Sequence, residues 1–479
     1  MSRKFPAVKL SGKSTRLGVA VLAILVALGL LAGCVNQKEE VAHYDRLLHA
    51  HPATSPAQLA VPHTLTLSKA LEMANSNNEQ LAISGENYLQ SLIAHDRAYA
   101  TFMPTVGLSP QDYQRQGFNE TGFPGLGNVF QTHYFDVPLQ TQLNLNVLRD
   151  ASAIQAAGAA ANQQKALLLD MQSNLLLEVA QTYYQVLGDQ RSVHVLRQTL
   201  RVQKANVASM KRMEKAGIAL RLSVLQSQAD EASTRVQLTN AIGNVDNGRA
   251  TLAYLIGAPS LTGAVLVNRF DPPRNIPALA SLDHIALARR QDLRAATYAE
   301  IVAKRGVSAA VAEYFPTVSV NFNTFLYKES FPSDSWWSGL FSVNFPIFEG
   351  GMIYQDIRKS YSQLRQASLE RHLLARHILE EVRIARQNWI TGNSLVHNLY
   401  TEWLSAKAAY AQAQHSFGVG LATNLDVITA QDSALSARLA YEKARYSKRV
   451  NMLNLLRTTG RLTWPAVHEL AMAEAVTKH

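Results

Sequence analysis

The sequence predicts an α+β chain made twice over, with long coiled-coil helices and four short, two-faced strands. Three observations carry this. The two halves repeat one another, the helical stretches run far past globular lengths, and apolar/polar alternation falls at matching places in both halves. Phe102-Met103-Pro104-Thr105-Val106 matches Tyr314-Phe315-Pro316-Thr317-Val318 at an offset of 212 residues, and Leu81 and Leu293 precede the two prolines by the same distance. Gly217 through Val224 to Gln228 matches Gly420 through Val427 to Gln431 at an offset of 203, which also relates Glu178-Val179 to Glu381-Val382 and Gly257 to Gly460. Several matches in one order mark an internal duplication.

The chain opens with Arg3, Lys4, Lys9, Lys13 and Arg16, an apolar run from Leu17 to Leu31, and then Leu31-Ala32-Gly33-Cys34. A basic head, an apolar core and small residues read as a removable secretory signal over 1–33. The Leu-Ala-Gly-Cys end resembles the bacterial lipobox, which implies cleavage before Cys34 and acylation of this sole cysteine. Val35, where inner-membrane lipoproteins often carry Asp, favours the outer membrane. Because 1–33 holds five basic residues and no acidic one, the mature chain keeps +5 of the +10 formal charge, too little to point to nucleic acid. With its cysteine lipidated it has no disulfide, so stability must come from packing. Charged residues make up 17%, below the usual quarter, which argues against disorder.

Residues 34–63 are expected as a linker. The first repeat, 64–257, reads as a helix over 66–102, strands over 104–115 and 133–148, a long helix over 150–216 and a final helix over 221–256. Pro259, Pro272, Pro273 and Pro277 place an inter-repeat linker at 258–280. The second repeat, 281–460, follows with a helix over 281–314, strands over 316–328 and 337–348, and helices over 351–417 and 424–458, leaving a tail at 461–479. Each long helix would run about 100 Å, and each pair of shorter ones laid end to end about the same. Leu175, Val179, Val186, Val193, Leu196, Leu200, Val207 and Met210 sit on a 3.5-residue grid, with gaps at Thr182, Asp189 and Gln203.

Val318, Val320 and Phe322 alternate with Ser319, Asn321 and Asn323, and Leu143, Leu145 and Val147 alternate with Gln142, Asn144 and Asn146. Such a strand has one apolar and one polar face, suited to a packed sheet or to a membrane barrel. Tyr113, Phe130, Tyr134, Phe135, Tyr327, Trp336 and Trp337 lie near strand ends, where membrane-interface aromatics belong. After the N-terminus no stretch reaches the roughly 18 apolar residues of a spanning helix, so any crossing is made by strands. Four strands cannot close a barrel, and an open edge in lipid leaves backbone groups unpaired. A membrane-embedded sheet of this size therefore requires several copies.

The order helix, strand, strand, long helix, helix, written twice, resembles the TolC-like outer-membrane efflux proteins, especially their lipoprotein branch. Phe102-Met103-Pro104 and Tyr314-Phe315-Pro316 look like that family's helix-to-strand junctions, with Pro104 and Pro316 able to end a helix and start a strand. Phe345-Pro346-Ile347-Phe348-Glu349-Gly350-Gly351 looks like its return from strand to long helix, with Pro346 at that junction, whereas Asn144 to Ala151 departs from it. Phe417-Gly418-Val419-Gly420-Leu421 and Leu425-Asp426-Val427-Ile428-Thr429-Ala430-Gln431 look like its periplasmic turn. The resemblance covers about 64–460. It implies a homotrimer with a twelve-stranded β-barrel in the outer membrane and a helical α-barrel below, docked to a periplasmic adaptor and an inner-membrane pump. The implied function is the outer-membrane channel of a tripartite efflux system for small molecules. An exit duct for type I protein secretion and a pore-free periplasmic structural lipoprotein are the alternatives.

Within this resemblance Ala216, Gly217, Ile218, Gly420 and Leu421 are the adaptor-contact tips, or simple helix connectors. Asp426 aligns with an aspartate lining the closed entrance in several relatives and is the candidate periplasmic gate. Its other reading is an aspartate placed near a helix N-terminus to complement the macrodipole. A second acidic residue often follows one turn later in relatives; here that place holds Thr429, with Asp432, Asp230 and Glu231 as substitutes. No Gly-x-Ser-x-Gly, His-Glu-x-x-His or P-loop is present, so no catalytic residue is assigned and no enzyme activity is expected. His377 with Glu380-Glu381 reads as a solvated face before a metal site, so neither metal nor cofactor is expected beyond lipid at Cys34. The stretch 113–133, rich in Gly, Asn, Gln and aromatics, fits an extracellular loop.

Overall fold

The computed structural model of the chain describes residues 36–48, 61–114, 133–268 and 276–464. The expected signal, Cys34, Phe130 and most of the 113–133 loop lie outside the described residues. The chain divides into two compact units.

In the first unit (36–41, 90–114, 133–161 and 300–366 among the described residues) strands β2 (Thr105–Leu108), β3 (Gln111–Gln114), β4 (His133–Leu145), β6 (Thr317–Lys328) and β7 (Trp337–Asn344) form one antiparallel sheet. Its order is β2-β4-β6-β7, with β3 also paired to β4. The expected strand 104–115 is thus two pieces on one edge of β4. Pro110 has no N–H to give the ladder, and the register of β4 against β6 shifts at Val137/Pro138, where a second proline removes a donor. The expected strand 337–348 stops at Asn344, before Pro346. Helix α3 (Glu79–Ala100) and helix α7 (Gln291–Ala312) feed the sheet. Both end in tightened turns, with i→i−3 bonds at Phe102 to Tyr99 and Met103 to Ala100, and again at Tyr314 to Val311 and Phe315 to Ala312. Asn146 caps helix α4 (Val147–Lys215): its Oδ1 accepts from Arg149 N, and Asp150 Oδ2 accepts from Asn146 N. Asn146 Nδ2 also donates to the carbonyls of Ala312 and Phe315, fixing the α7 end against the α4 start.

The second unit (42–48, 61–89, 162–268, 276–299 and 367–464 among the described residues) is helical, with one short parallel strand pair. Helix α1 (Gln37–Leu48) begins within the expected linker, and its Tyr44 hydroxyl donates to Glu86. The expected helix 66–102 is broken at Asn78 into α2 (Leu67–Asn77) and α3, and the expected helix 281–314 is broken at Arg290 into α6 (Leu279–Arg289) and α7. Asn78 and Arg290 are separated by the repeat offset of 212. Both are buried, both adopt extended ψ, and both are held by side-chain bonds. Asn78 Nδ2 donates to Leu255 O while its Oδ1 accepts from Leu81 N; Arg290 pairs with Asp292 and Glu381. Against each break lies the glycine ending the last helix of the same half. A Cβ on Gly257 would meet Asn77 O at 2.5 Å, and one on Gly460 would meet Arg289 C at 2.9 Å.

Helices α4, α5 (Arg221–Leu255), α8 (Met352–Gly418) and α9 (Asn424–Thr458) make the bulk of this unit. Val193, Val195 and Leu196 of α4 pack with Ala241 of α5 and Leu435 of α9. Trp389, Ile378 and Val382 of α8 pack with Leu282 and Ala286 of α6 and with Met452 and Leu455 of α9. Of the coiled-coil grid, Leu175, Val179, Val186, Val193, Leu196, Val207 and Met210 are buried and Leu200 is half-buried, and Gln203, one of the gaps, is buried with them. Strands β1 (Thr64–Thr66) and β5 (Val265–Val267), not expected from the sequence, pair in parallel. The Tyr183 hydroxyl locks them, lying 2.8 Å from the carbonyls of Leu65 and Val267 and accepting from Val267 N.

Candidate functional site

Two surfaces carry functional information: one face of the sheet, and the helix reversals at 216–222 and 419–425. Directly paired residues of a sheet point to the same side. Rows Leu145–Val318–Val343, Leu143–Val320–Phe341 and Thr141–Phe322–Gly339 therefore share one face, which Val106 joins opposite Thr141. The opposite face carries Asn144–Ser319–Ser342 and Gln140–Asn323–Ser338. The apolar face is bare: Phe341 is 67% exposed and Val106 60%. Aromatic pairs stand toward the strand ends, Tyr113 stacked on Tyr134 at 4.8 Å and Phe135 beside Tyr327 at 6.1 Å, with Trp336 and Trp337 exposed. Pro104 and Pro316 each immediately precede a strand, and Pro346 lies between β7 and α8.

The two reversals use one backbone solution. Gly217 sits at φ 74° and Gly420 at φ 79°. Gly217 N donates to Glu214 O and Ile218 N to Met213 O; Gly420 N donates to Phe417 O and Leu421 N to Ser416 O. This is the Schellman closure, in which a left-handed residue satisfies the last carbonyls of a helix. Ala216 precedes the first such glycine and is exposed. Around both turns apolar side chains face solvent: Ile218, Leu220 and Leu222 at one, Val419, Leu421 and Leu425 at the other, Leu421 at 84%.

Asp426 is exposed at the third position of α9, where Thr423 and Asp426 form a capping box. The Thr423 backbone N–H and hydroxyl both donate to Asp426 Oδ2, holding its carboxyl below the usual carboxylate range. Thr423-x-x-Asp426 was readable as a capping signature. The non-local partner next to it was not: Asn424, buried, donates through Nδ2 to Ser223 O and Ser227 Oγ on α5. Asp230 and Asp432 lie further along α5 and α9, away from Asp426's cap; Asp230 accepts from Gln203 Nε2 at 2.7 Å, and burial, then the neighbouring Asp432 charge, pushes its carboxyl up to about 6. Glu231 pairs with Arg235. His377 reaches Glu380 and Glu381, but Glu381 is engaged by Arg290 and Arg457, and no group of three potential metal ligands converges among the described residues.

Comparison with known proteins gives this geometry its context. BepC of Brucella suis biovar 1, an outer membrane efflux protein, is 26% identical over 302 residues, 60% of this chain and 65% of BepC. TolC of Escherichia coli K12 is 21% identical over 432 residues, 86% of this chain and 85% of TolC. Among solved structures, the Campylobacter jejuni CmeC outer membrane channel matches with a TM-score of 0.74 at 16% identity, over 85% of this chain and 89% of that one. CusC, described with transmembrane channel formation, matches at 0.73 and 18%, over 86% and 97%. These structural likenesses establish the fold. The sequence profile of the outer membrane efflux protein family matches residues 70–258 and 282–461, both repeats, and the chain belongs to that family.

Proposed function

We propose that this protein is the outer-membrane channel of a tripartite efflux system, a trimer that carries small toxic molecules from a periplasmic adaptor and an inner-membrane pump to the outside. The observation that carries the reading is the sheet, which presents a bare apolar face and, among the described residues, ends at β2/β3 and β7 in edges that no further strand pairs. Lipid suits such a face, but it cannot hydrogen-bond such edges. Sister subunits supply the missing edges. Because β2 and β3 share one edge of β4, each copy contributes four strand positions, and three copies close a barrel of twelve.

The two glycine turns with their bare apolar residues are the adaptor-contact tips in this reading, with Ala216, Gly217, Ile218, Gly420 and Leu421 at the contact. Asp426 stays ionised in its cap, and three copies form an anionic ring at the periplasmic entrance. Acylated Cys34 anchors the mature chain in the outer membrane. The efflux relatives support small-molecule cargo.

Detergent-purified trimers reconstituted into planar bilayers test this. Discrete conductance steps are expected, with cation selectivity reduced by Asp426→Asn. Well-folded trimers that give no conductance overturn the channel. Leu421→Asp is expected to leave conductance intact and to abolish binding of a cognate periplasmic adaptor.

A further inference from the structure

Lipid forbids charge on only one face of a barrel strand. Side chains turned to lipid must be uncharged, whereas those turned to a water-filled lumen are free to carry charge, and their substitution tunes selectivity. The sheet of this protein is uncharged on both faces over its central stretch. On the polar face, Gln142–Asn321–Leu340 lies between the rows Asn144–Ser319–Ser342 and Gln140–Asn323–Ser338. Leu340 apart, these rows are amides and hydroxyls. Among the described residues none of their positions holds an acid or a base.

The uncharged stretch has the height of a membrane. In β6 it runs over 317–327, eleven residues, and ends at Lys328. At about 3.3 Å per residue that is about 36 Å of strand, and a barrel tilt of about 45° leaves a rise of about 25 Å, the height of the apolar band of outer-membrane barrels. Charge gathers beyond both ends. On the loop side Asp136 Oδ1 accepts from Glu329 N and Ser330 N, the Glu329 carboxylate accepts from Phe135 N and the Tyr327 hydroxyl, and His133 pairs with Asp112. On the helix side Arg149 pairs with Asp150. Asn321 stands seven residues from Lys328, about 23 Å along the strand. That is well beyond the Debye length of about 8 Å at physiological salt. Lipid accounts for the neutrality of the apolar face, but it places no such demand on the polar one.

We propose that the barrel section of the pore is indifferent to the sign of a solute's charge and sorts what leaves by width and hydrogen bonding, so that any preference for cations is imposed outside the barrel. The inference rests on the reading of the polar face as lumen. Amides and hydroxyls both donate and accept hydrogen bonds, so they serve cationic, anionic and neutral polar cargo alike.

The test reads the local potential with small thiol reagents on detergent-purified trimers of the full chain. Gln142→Cys, Ser319→Cys and Asn321→Cys are each treated with a cationic trimethylammonium methanethiosulfonate and with an anionic sulfonate one, the unaltered chain giving the background. Rates are divided by those of the same reagents with a free thiol in solution. The cation-to-anion ratio is expected to lie within about threefold of one at all three positions, and to stay there when salt is lowered about tenfold. Adding Asn323→Asp to Asn321→Cys puts a carboxylate on the same face two residues away. It is expected to raise the ratio several-fold, and more at low salt. A ratio outside the threefold range at any of the three positions, or one that ignores the added carboxylate, overturns the proposal. Failure of the lumen reading looks different: Val320→Cys, on the apolar face, then reacts while Asn321→Cys does not, and the proposal falls with the face assignment.

Discussion

The two helix reversals share one turn and differ in how the returning helix begins. Gly217 and Gly420 adopt the same left-handed conformation, and each closes its helix with the same pair of backbone bonds. Beyond the turn, α9 starts at Thr423 with a reciprocal capping box, whereas α5 starts at Leu220 with no side-chain cap. Asn424 bridges the difference, since its amide bonds the Ser223 carbonyl and the Ser227 hydroxyl of the uncapped helix. The reversal and the anchoring of the helix after it are thus separate inventions, and the second half anchors both.

Breaking the bridge has the largest expected effect. Asn424→Ala strips partners from a buried site and is expected to cost about 1–3 kcal/mol, read as faster hydrogen exchange in the first turns of both α5 and α9. Gly217→Ala and Gly420→Ala come next. An added Cβ meets nothing within 4 Å at either position, so only backbone strain is introduced, about 1–2 kcal/mol and equal at the two tips. Unequal losses in thermal-melt series of the two variants would show that the turns are not equivalent after all. Thr423→Ala is expected to cost about 1 kcal/mol, confined to α9, whereas Leu220→Thr builds the missing cap and returns about 0.5–1 kcal/mol to α5. The smallest effect is the pH response of the cap. Hydrogen bonds from Thr423 depress the Asp426 carboxyl in the folded state. Its contribution is present above the ordinary carboxylate value near 4 and is lost as pH falls through the lower folded value. Acid therefore frays the start of α9 and spares the start of α5, and hydrogen exchange at low pH reads the difference.

The repeat, the long helices and the two-faced strands were legible because each is written in local periodicity, as in the alternation of Val318, Val320 and Phe322. The breaks at Asn78 and Arg290 were hidden because helical patterning continues on both sides; what stops the helix is tertiary, the Leu255 carbonyl for one and Glu381 for the other. Strands of three residues such as β1 and β5 fall below the length at which alternation means anything. At the tips, Gly217 and Gly420 were legible as turns, and Asp426 near a helix start. The Asn424 clasp spans about two hundred residues of chain and has no sequence signature. Ser109-Pro110 did carry a readable warning, since a proline inside a strand removes a ladder donor.

The uncovered sheet also sets terms for how the protein is made. If the proposed trimer is right, a subunit that has not yet met its sisters offers a greasy plane flanked by raw strand margins, and any stray extended chain can zip onto them. On that reading, maturation is a race between assembly at the bilayer and clumping on the way.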